Sequence, residues 1–348
     1  MTLAPYVRAC WCGNADLASF NSEYGHCEAC GTLVLLNGLS IDQLQGSVDD
    51  SHFYGKRYWL DHQNKDLGLP DIHVRARNDL TERNLHWLKA LLKYRLPPAK
   101  VLELGCSHGG FVALLRQAGY DASGVEMSAW VVEFGRQAFG VPIAMGPVES
   151  LDIECGSLDI IVLMDVLEHL SDPVATMAHC LKLLRPDGLL MVQTPLFKEE
   201  IEYEALVESN SKFLEMLIPN EHIYLFSDHS VARLFHQLGA EYIQFEPAIF
   251  GHYDMFFLVG RLPIVPIPVE KAETLLLSSP QGRIVQAMLE LRARELELVA
   301  RLQESELDRA ARLEQIITLT SMLRESEADR AAREKQIETL TRLLQARY

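Results

Sequence analysis

Eleven residues, Val101-Leu-Glu-Leu-Gly-Cys-Ser-His-Gly-Gly-Phe111, constrain the fold of this chain more than any other segment. An apolar run of strand character passes straight into glycines, and an apolar helical pattern begins behind them. A strand, a tight turn and a helix in that order start a crossover unit of a parallel sheet. Twenty-one residues beyond Gly105, a second short run, Ala122-Ser-Gly-Val-Glu126, ends in an acid. Glycines let backbone approach a ligand, and an acid at the tip of the next strand can hold ribose hydroxyls.

Alternation continues downstream. Strands are expected at Lys100–Leu104, Ala122–Glu126, Leu158–Met164 and Leu189–Thr194, with helices near Gly110–Ala118, Ala129–Phe139 and Pro173–Leu184. A helix over Asp228–Leu238 and strand-like runs at Glu241–Phe250 and Met255–Val259 close the series. Upstream, a helix is expected from Arg77 to Tyr94, where Leu80, Asn84, Trp87, Leu88, Leu91 and Leu92 share a face; Pro97-Pro98 ends it.

The glycine turn, Glu103, Glu126 and the block Asp165-Val-Leu-Glu-His169 together resemble the class I S-adenosylmethionine (SAM) methyltransferases, from about residue 97 to 262. The resemblance implies an α/β, Rossmann-like sheet. It also implies that Glu103, Gly105, Cys106, Ser107, Gly109, Glu126, Met127, Glu149, Asp165 and Val166 surround SAM. Glu126 would take the ribose diol and Glu103 the amino-acid end; Ser107 replaces the family's middle glycine. A nicotinamide dehydrogenase also uses a glycine turn, but the spacing Gly-x-x-x-Gly-Gly and the preceding Glu103 differ from that fingerprint.

Methyl transfer to a hydroxyl requires a proton acceptor, and histidine titrates near neutrality. Asn220-Glu-His-Ile-Tyr-Leu-Phe-Ser227 resembles the His-x-x-x-Phe-Ser element of zinc-ribbon and sugar methyltransferases. His222 is the first candidate base, with Tyr224 as an orienting group. His169 is the second, or else a structural histidine. Glu168 either serves the site or stabilises the next helix. His252 reads as exposed in a hairpin turn, and His108 faces either the cofactor or solvent.

Cys10-x-Cys12 and Cys27-x-x-Cys30 supply four thiols in two knuckles. Four thiolates suit structural Zn2+, although the first knuckle is one residue short of the usual ribbon spacing. His26 is an alternative ligand, and a ribbon without metal the alternative state. Behind it, Leu39-Ser-x-x-Gln-Leu44 and the block Phe53–Trp59 look like the segment that covers the substrate side in zinc-ribbon methyltransferases. Tyr54, Tyr58 and Trp59 would stack on a sugar or pack between ribbon and catalytic domain.

After Pro263, Pro266 and Pro268 the chain changes character. Residues 302–322 and 323–343 share 14 of 21 positions, and twenty-one residues are three heptads. Leu302, Ile316, Leu323, Ile337 and Leu344 fall at one core position of a coiled coil, but so do Arg309 and Arg330. The tail is read as a self-associating coiled coil or as a solvated single helix.

The division expected is a ribbon-like segment over 1–45, a connector over 46–96, a catalytic domain over 97–262, a Pro-rich linker over 263–280 and a coiled coil over 281–348. The tail from 281 holds twelve acids and twelve bases, so the net charge of −16 sits in the first 280 residues. That repels nucleic acid. No run reaches the ~18 apolar residues of a membrane span, and no secretion signal is evident at the start. The expected protein is a cytoplasmic oligomer, free or peripheral to the inner face of the membrane. The expected activity is SAM-dependent O-methylation of a sugar in cell-surface (O-antigen-like) polysaccharide, with the coiled coil docking glycosyltransferases. The alternatives are C-methylation of a nucleotide-linked keto sugar and a non-catalytic assembly protein.

Overall fold

The structure, a computed structural model, describes residues 8–37, 70–219 and 221–346. The Leu39–Leu44 motif, the aromatic block Phe53–Trp59 and Asn220 lie outside the described residues, as do residues 46–69 of the expected connector.

Three short strands, β1 (Ala18–Ser19), β2 (Tyr24–Cys27) and β3 (Thr32–Leu35), build the ribbon. Next come α1 (Ile72–Asp79), a π-helical turn (Leu80–Asn84) and α2 (Leu85–Leu92). This helical region starts earlier than the apolar pattern suggests, because Asp71 caps α1 by accepting from the His73 and Val74 N–H groups. The π turn inserts a residue into the ladder, which rotates Arg83 and Asn84 relative to a straight helix.

The crossover series follows as β4 (Lys100–Leu104), α3 (Gly110–Ala118), β5 (Asp121–Glu126), α4 (Ala129–Phe139), β6 (Ile143–Met145), β7 (Leu158–Met164), α5 (Pro173–Leu183) and β8 (Leu184–Pro195). The remaining elements are α6 (Tyr203–Glu208), β9 (Tyr224–Leu225), α7 (Asp228–Gln237), β10 (Tyr242–Glu246), β11 (Asp254–Gly260), α8 (Val269–Leu277) and α9 (Pro280–Gln345). The main sheet has the order β10-β11-β8-β7-β4-β5-β6. β4, β5, β6, β7 and β8 pair in parallel, while β11 runs antiparallel to both of its neighbours. This is the α/β, Rossmann-like sheet expected from the alternation. All seven residues of β7 are buried, as a central parallel strand covered on both faces requires. Leu184-Arg-Pro-Asp-Gly188 enters β8 through an irregularity: Leu158 pairs with Leu184 and Ile160 with Leu189, so residues 185–188 loop out of register.

A second sheet, β1-β2-β3-β9, joins ribbon and catalytic domain: Leu33 pairs with Leu225 and Val34 with Tyr224. The ribbon is therefore not a separate appendage. Cys10, Cys27, Cys30 and Val34 share one apolar cluster with Ile161, Val192, Ile223 and Phe226.

The segment 263–280, expected as a Pro-rich linker, is partly helical. It contains α8, whose Ala272 and Leu276 are buried in the core together with Val285 from the start of α9. Ala272 and Leu276 follow the proline run at the i, i+4 spacing of one helix face, and burial of that face outweighs the prolines at its N-terminal side. The chain divides into two compact units, Met1–Leu289 and Glu290–Tyr348. In the second, every described residue from Ala293 onward is exposed, including Leu302, Ile316 and Ile337. Among the described residues, no helix is long and apolar enough to cross a membrane.

Truncation after Leu289 should leave the thermal midpoint of the first unit unchanged. Truncation after Ser279, which removes buried Val285, should lower it by about 5 °C in a calorimetric scan.

Candidate active site

The carboxyl ends of β4 and β7, where strand order reverses, open onto a cavity of about 940 Å³. Gly105 leaves β4 with φ +64°, and a Cβ there would stand 2.5 Å from Val166 Cγ2. The turn thus demands glycine both for its left-handed backbone and for the packing of the neighbouring β7 loop. Ser107 also has positive φ, +48°. At the tip of β5, Glu126 closes this turn. Its Oε2 accepts from Ser107 N–H at 3.0 Å, and its Oε1 accepts from Met127 and Ser128 N–H at 2.8 and 3.0 Å.

Glu103, at the end of β4, is 4% exposed. Burial holds its carboxyl well above the usual range, while the Val112 N–H opposes that shift. Its Oε2 has no partner, and neither do Asn84 Nδ2 and Ser107 Oγ, though all three residues line the cavity. Buried acceptors and donors left open in this way suit a ligand carrying both an ammonium and a carboxylate. The site therefore fits the amino-acid end of SAM, with Glu103 and Asn84 to hold it and Glu126 facing the ribose.

Beyond the turn the cavity becomes acidic. Asp165, at φ +58°, accepts from Arg83 Nη1 and from Gln193 Nε2, each at 3.0 Å. Gln193 in turn accepts from Trp87 Nε1 at 3.0 Å. Both Asp165 oxygens are thus engaged by the protein. Asp254, at the start of β11, is pushed up to about 8 by burial and by the charge of Asp165. Glu168 is 1% exposed and accepts from Thr194 Oγ1 at 2.9 Å; burial, and then Asp165, hold its carboxyl well above the usual range.

His169 and His222 meet here, ring centroids 4.9 Å apart. His169 Nδ1 lies 2.8 Å from Glu221 O and His222 Nδ1 2.7 Å from Met216 O. A carbonyl only accepts, so both Nδ1 atoms carry the proton and both Nε2 lone pairs are free to accept. Glu168, His169 and His222 each offer a ligating atom within 4.8 Å of the others, so the trio could also bind a cation. Neither ring is poised to titrate near pH 7 as an ordinary histidine is. Burial, then His169, pushes His222 down to about 3, and burial lowers His169 as well.

The four cysteine sulfurs also lie within 4.8 Å of one another, with Cys10–Cys30 at 3.5 Å and Cys12–Cys27 at 3.6 Å. Tetrahedral zinc with Zn–S near 2.3 Å places sulfurs about 3.8 Å apart, so this cage fits the ion. Cys10 reaches despite the short first knuckle. Hydrogen bonding from Cys10, with help from Thr32, pulls the Cys30 thiol down to about 5. His26 stands outside the cage, edge-on to Phe197.

The cavity gathers Glu103, Gly105, Cys106, Ser107, Glu126, Met127, Glu149, Asp165, Val166, Glu168, His169 and His222. It leaves out two residues singled out from sequence. Tyr224 is buried on β9, and Gly109 serves packing, since a Cβ there would meet Val141 and Ile143 at 2.9 Å. The Cys106 side chain turns beneath Gly124 into the core. Glu149 accepts from Thr176 Oγ1 at 2.6 Å. His108 lines the cavity and does not face solvent. It is 4% exposed, accepts from Gly110 N–H, and donates through Nε2 to Asp79 at 3.2 Å, tying α1 to the turn. His252 is exposed in its turn, as expected. Arg83, Asn84, Gln193 and Asp254 were missed as site residues; the available signal was a polar residue on a buried face or strand end, as Gln193 is in β8, Asn84 in the π turn and Asp254 at the start of β11.

Residues 76–244 match the family model described as a methyltransferase domain. A ubiquinone biosynthesis O-methyltransferase of Bordetella avium is 28% identical over 162 residues, 45% of this chain and 62% of that protein. The enzyme of the same name from Haemophilus ducreyi is 28% identical over 130 residues, 34% of this chain and 54% of its own length. The chain thus spans less than two thirds of either relative. Among solved structures, magnesium protoporphyrin IX methyltransferase from Synechocystis with bound SAH shares 18% identity at a TM-score of 0.41, covering 58% of this chain and 97% of that one. The family match is thus to methyltransferase domains, and it covers just under half of this chain. The sugar acceptor expected from sequence finds no support among these relatives.

His222 should remain a neutral Nδ1–H tautomer at pH 5, and His169 should titrate below an ordinary histidine, both read from imidazole 15N shifts; a titration of His222 near the ordinary 6.5 would contradict this. Because the folded value is depressed, the unfolded chain takes up the proton first. Stability should fall as the pH drops from 6.5 towards 3.

Proposed function

We propose that the protein is a SAM-dependent O-methyltransferase acting on a hydroxyl of a ring-bearing acceptor. SAM supplies the electrophilic methyl group. Glu126 holds the ribose diol, and Glu103 with Asn84 holds the amino-acid end. The observation that carries the reading is the pair of free Nε2 lone pairs on His222 and His169 in the cavity that also holds Glu103 and Glu126. His222 accepts the hydroxyl hydrogen bond, orients the oxygen and takes its proton as the new bond forms. The Glu168 carboxyl, 4.0 Å from His169 Nε2 and in reach of His222, offsets the imidazolium charge once it ionises in response to it.

Phe250, Tyr253 and Met216 line the same cavity and give a ring a flat surface to rest on. The curated relatives are named for ubiquinone biosynthesis, which favours a phenolic hydroxyl. A polyhydroxylated sugar is the second reading, favoured by Asp165, Glu168 and Asp254 as nearby acceptors. Structural Zn2+ in the four-thiol cage completes the fold in this proposal. The exposed leucines and isoleucines of α9 serve self-association, read out as solution mass.

Labelled methyl from SAM should pass to a phenol, a sugar nucleotide or a cell-surface polysaccharide; transfer to none of them rejects the reading. His222→Ala should lower turnover by about 10²–10⁴-fold with SAM binding retained, whereas Glu126→Ala should weaken SAM binding in calorimetry. Unchanged turnover in His222→Ala rejects the assigned base.

A further inference from the structure

The segment that carries His222 is pinched between two bodies. On one side, Ile223 N–H donates to Glu168 O at 2.8 Å and His169 Nδ1–H donates to Glu221 O at 2.8 Å, which ties the segment to the turn after β7. On the other side stands the ribbon. Tyr24 Oη donates to His222 O at 3.0 Å, Leu35 N–H donates to Ile223 O at 2.9 Å, and β3 pairs with β9 immediately beyond. Tyr24 is wholly buried, so its hydroxyl has little else to bond in place of that carbonyl.

The thiol cage is joined to the far end of the same segment. Gly31, directly after Cys30, has φ +76°, and a Cβ there would collide with the Glu199 carboxylate. Glu199 Oε1 accepts from Ser227 Oγ at 2.6 Å, and Ser227 caps α7 just after β9. Arg233 of α7 donates to Ala29 O inside the second knuckle. Residues 221–227 are thus fastened at both ends to a small three-stranded fold whose two cysteine knuckles meet in the thiol cage.

We infer that the ribbon is a control element for the acceptor end of the site: closure of the four-thiol cage positions His222 through Tyr24, Leu35 and the β3–β9 pairing. The inference deepens the reading of His222 as proton acceptor and rests on it. In this arrangement Tyr24 is a positioning residue. Its hydroxyl bonds the His222 carbonyl and not the imidazole, so it sets where the ring stands rather than how basic it is. Loss of the metal releases β9, and the acceptor end loosens while the cofactor turn, built from β4 and β5, stays formed.

The test uses the full chain loaded with Zn2+ and then stripped with a chelator. Hydrogen exchange over residues 221–227 should accelerate about tenfold or more on stripping, with residues 158–164 of β7 still protected. Unchanged exchange in 221–227 overturns the inference, and so does loss of protection in β7, because the ribbon would then hold the whole domain. Tyr24→Phe leaves the thiols intact and removes one hydrogen bond. It should retain Zn2+, speed exchange over 221–227 and lower kcat about fivefold at unchanged KM for SAM. Wild-type exchange and kcat in this variant overturn the positioning role. Failure of the wild-type protein to transfer methyl would reject the enzymatic reading alone, since the exchange experiment needs no acceptor.

Discussion

Burial of negative charge without a full set of partners is the constraint on which the site depends. Glu103, Glu168 and Asp254 are held protonated more readily than ordinary carboxyls, first by burial and then, for Glu168 and Asp254, by the charge of Asp165. Such groups cost stability unless a cation arrives to compensate them. A sulfonium and an ammonium are that kind of visitor. The cavity also has its own cation in Arg83, but that guanidinium is already committed to Asp165.

Four of the five parallel strands were readable from sequence, because a buried strand such as Leu158–Met164 and an amphipathic helix such as Gly110–Ala118 carry opposite periodicities, whereas the three-residue β6 was too short to show one. Glu103, Gly105 and Glu126 were legible for the same reason: they sit at the ends of those elements, where local pattern fixes position. What escaped depends on contacts distant in sequence. Tyr24 and His222 are 198 positions apart, and only the folded chain brings the phenol to that carbonyl. The π turn at Leu80–Asn84 was hidden because it keeps the same apolar face while shifting the polar one. The base candidate was legible by type but not by state, since the acidity of His222 is set by burial and by a second histidine.

The stretch from 263 to 289 shows how composition misleads where packing decides. Prolines suggested a stiff spacer, yet Ala272, Leu276 and Val285 belong to the same core cluster as β4 and α3. The boundary between compact units therefore falls inside a continuous helix, at Leu289, and not at its first residue.

The duplicated stretch in α9 has a metric consequence. Each copy of twenty-one residues adds about 31 Å at 1.5 Å per residue. Gain or loss of a copy would change the span in fixed steps while every leucine and isoleucine kept its azimuth in a 3.5-residue frame. A duplication of this length lets such a tail act as a ruler whose reach changes in quanta, without any redesign of the surface it presents.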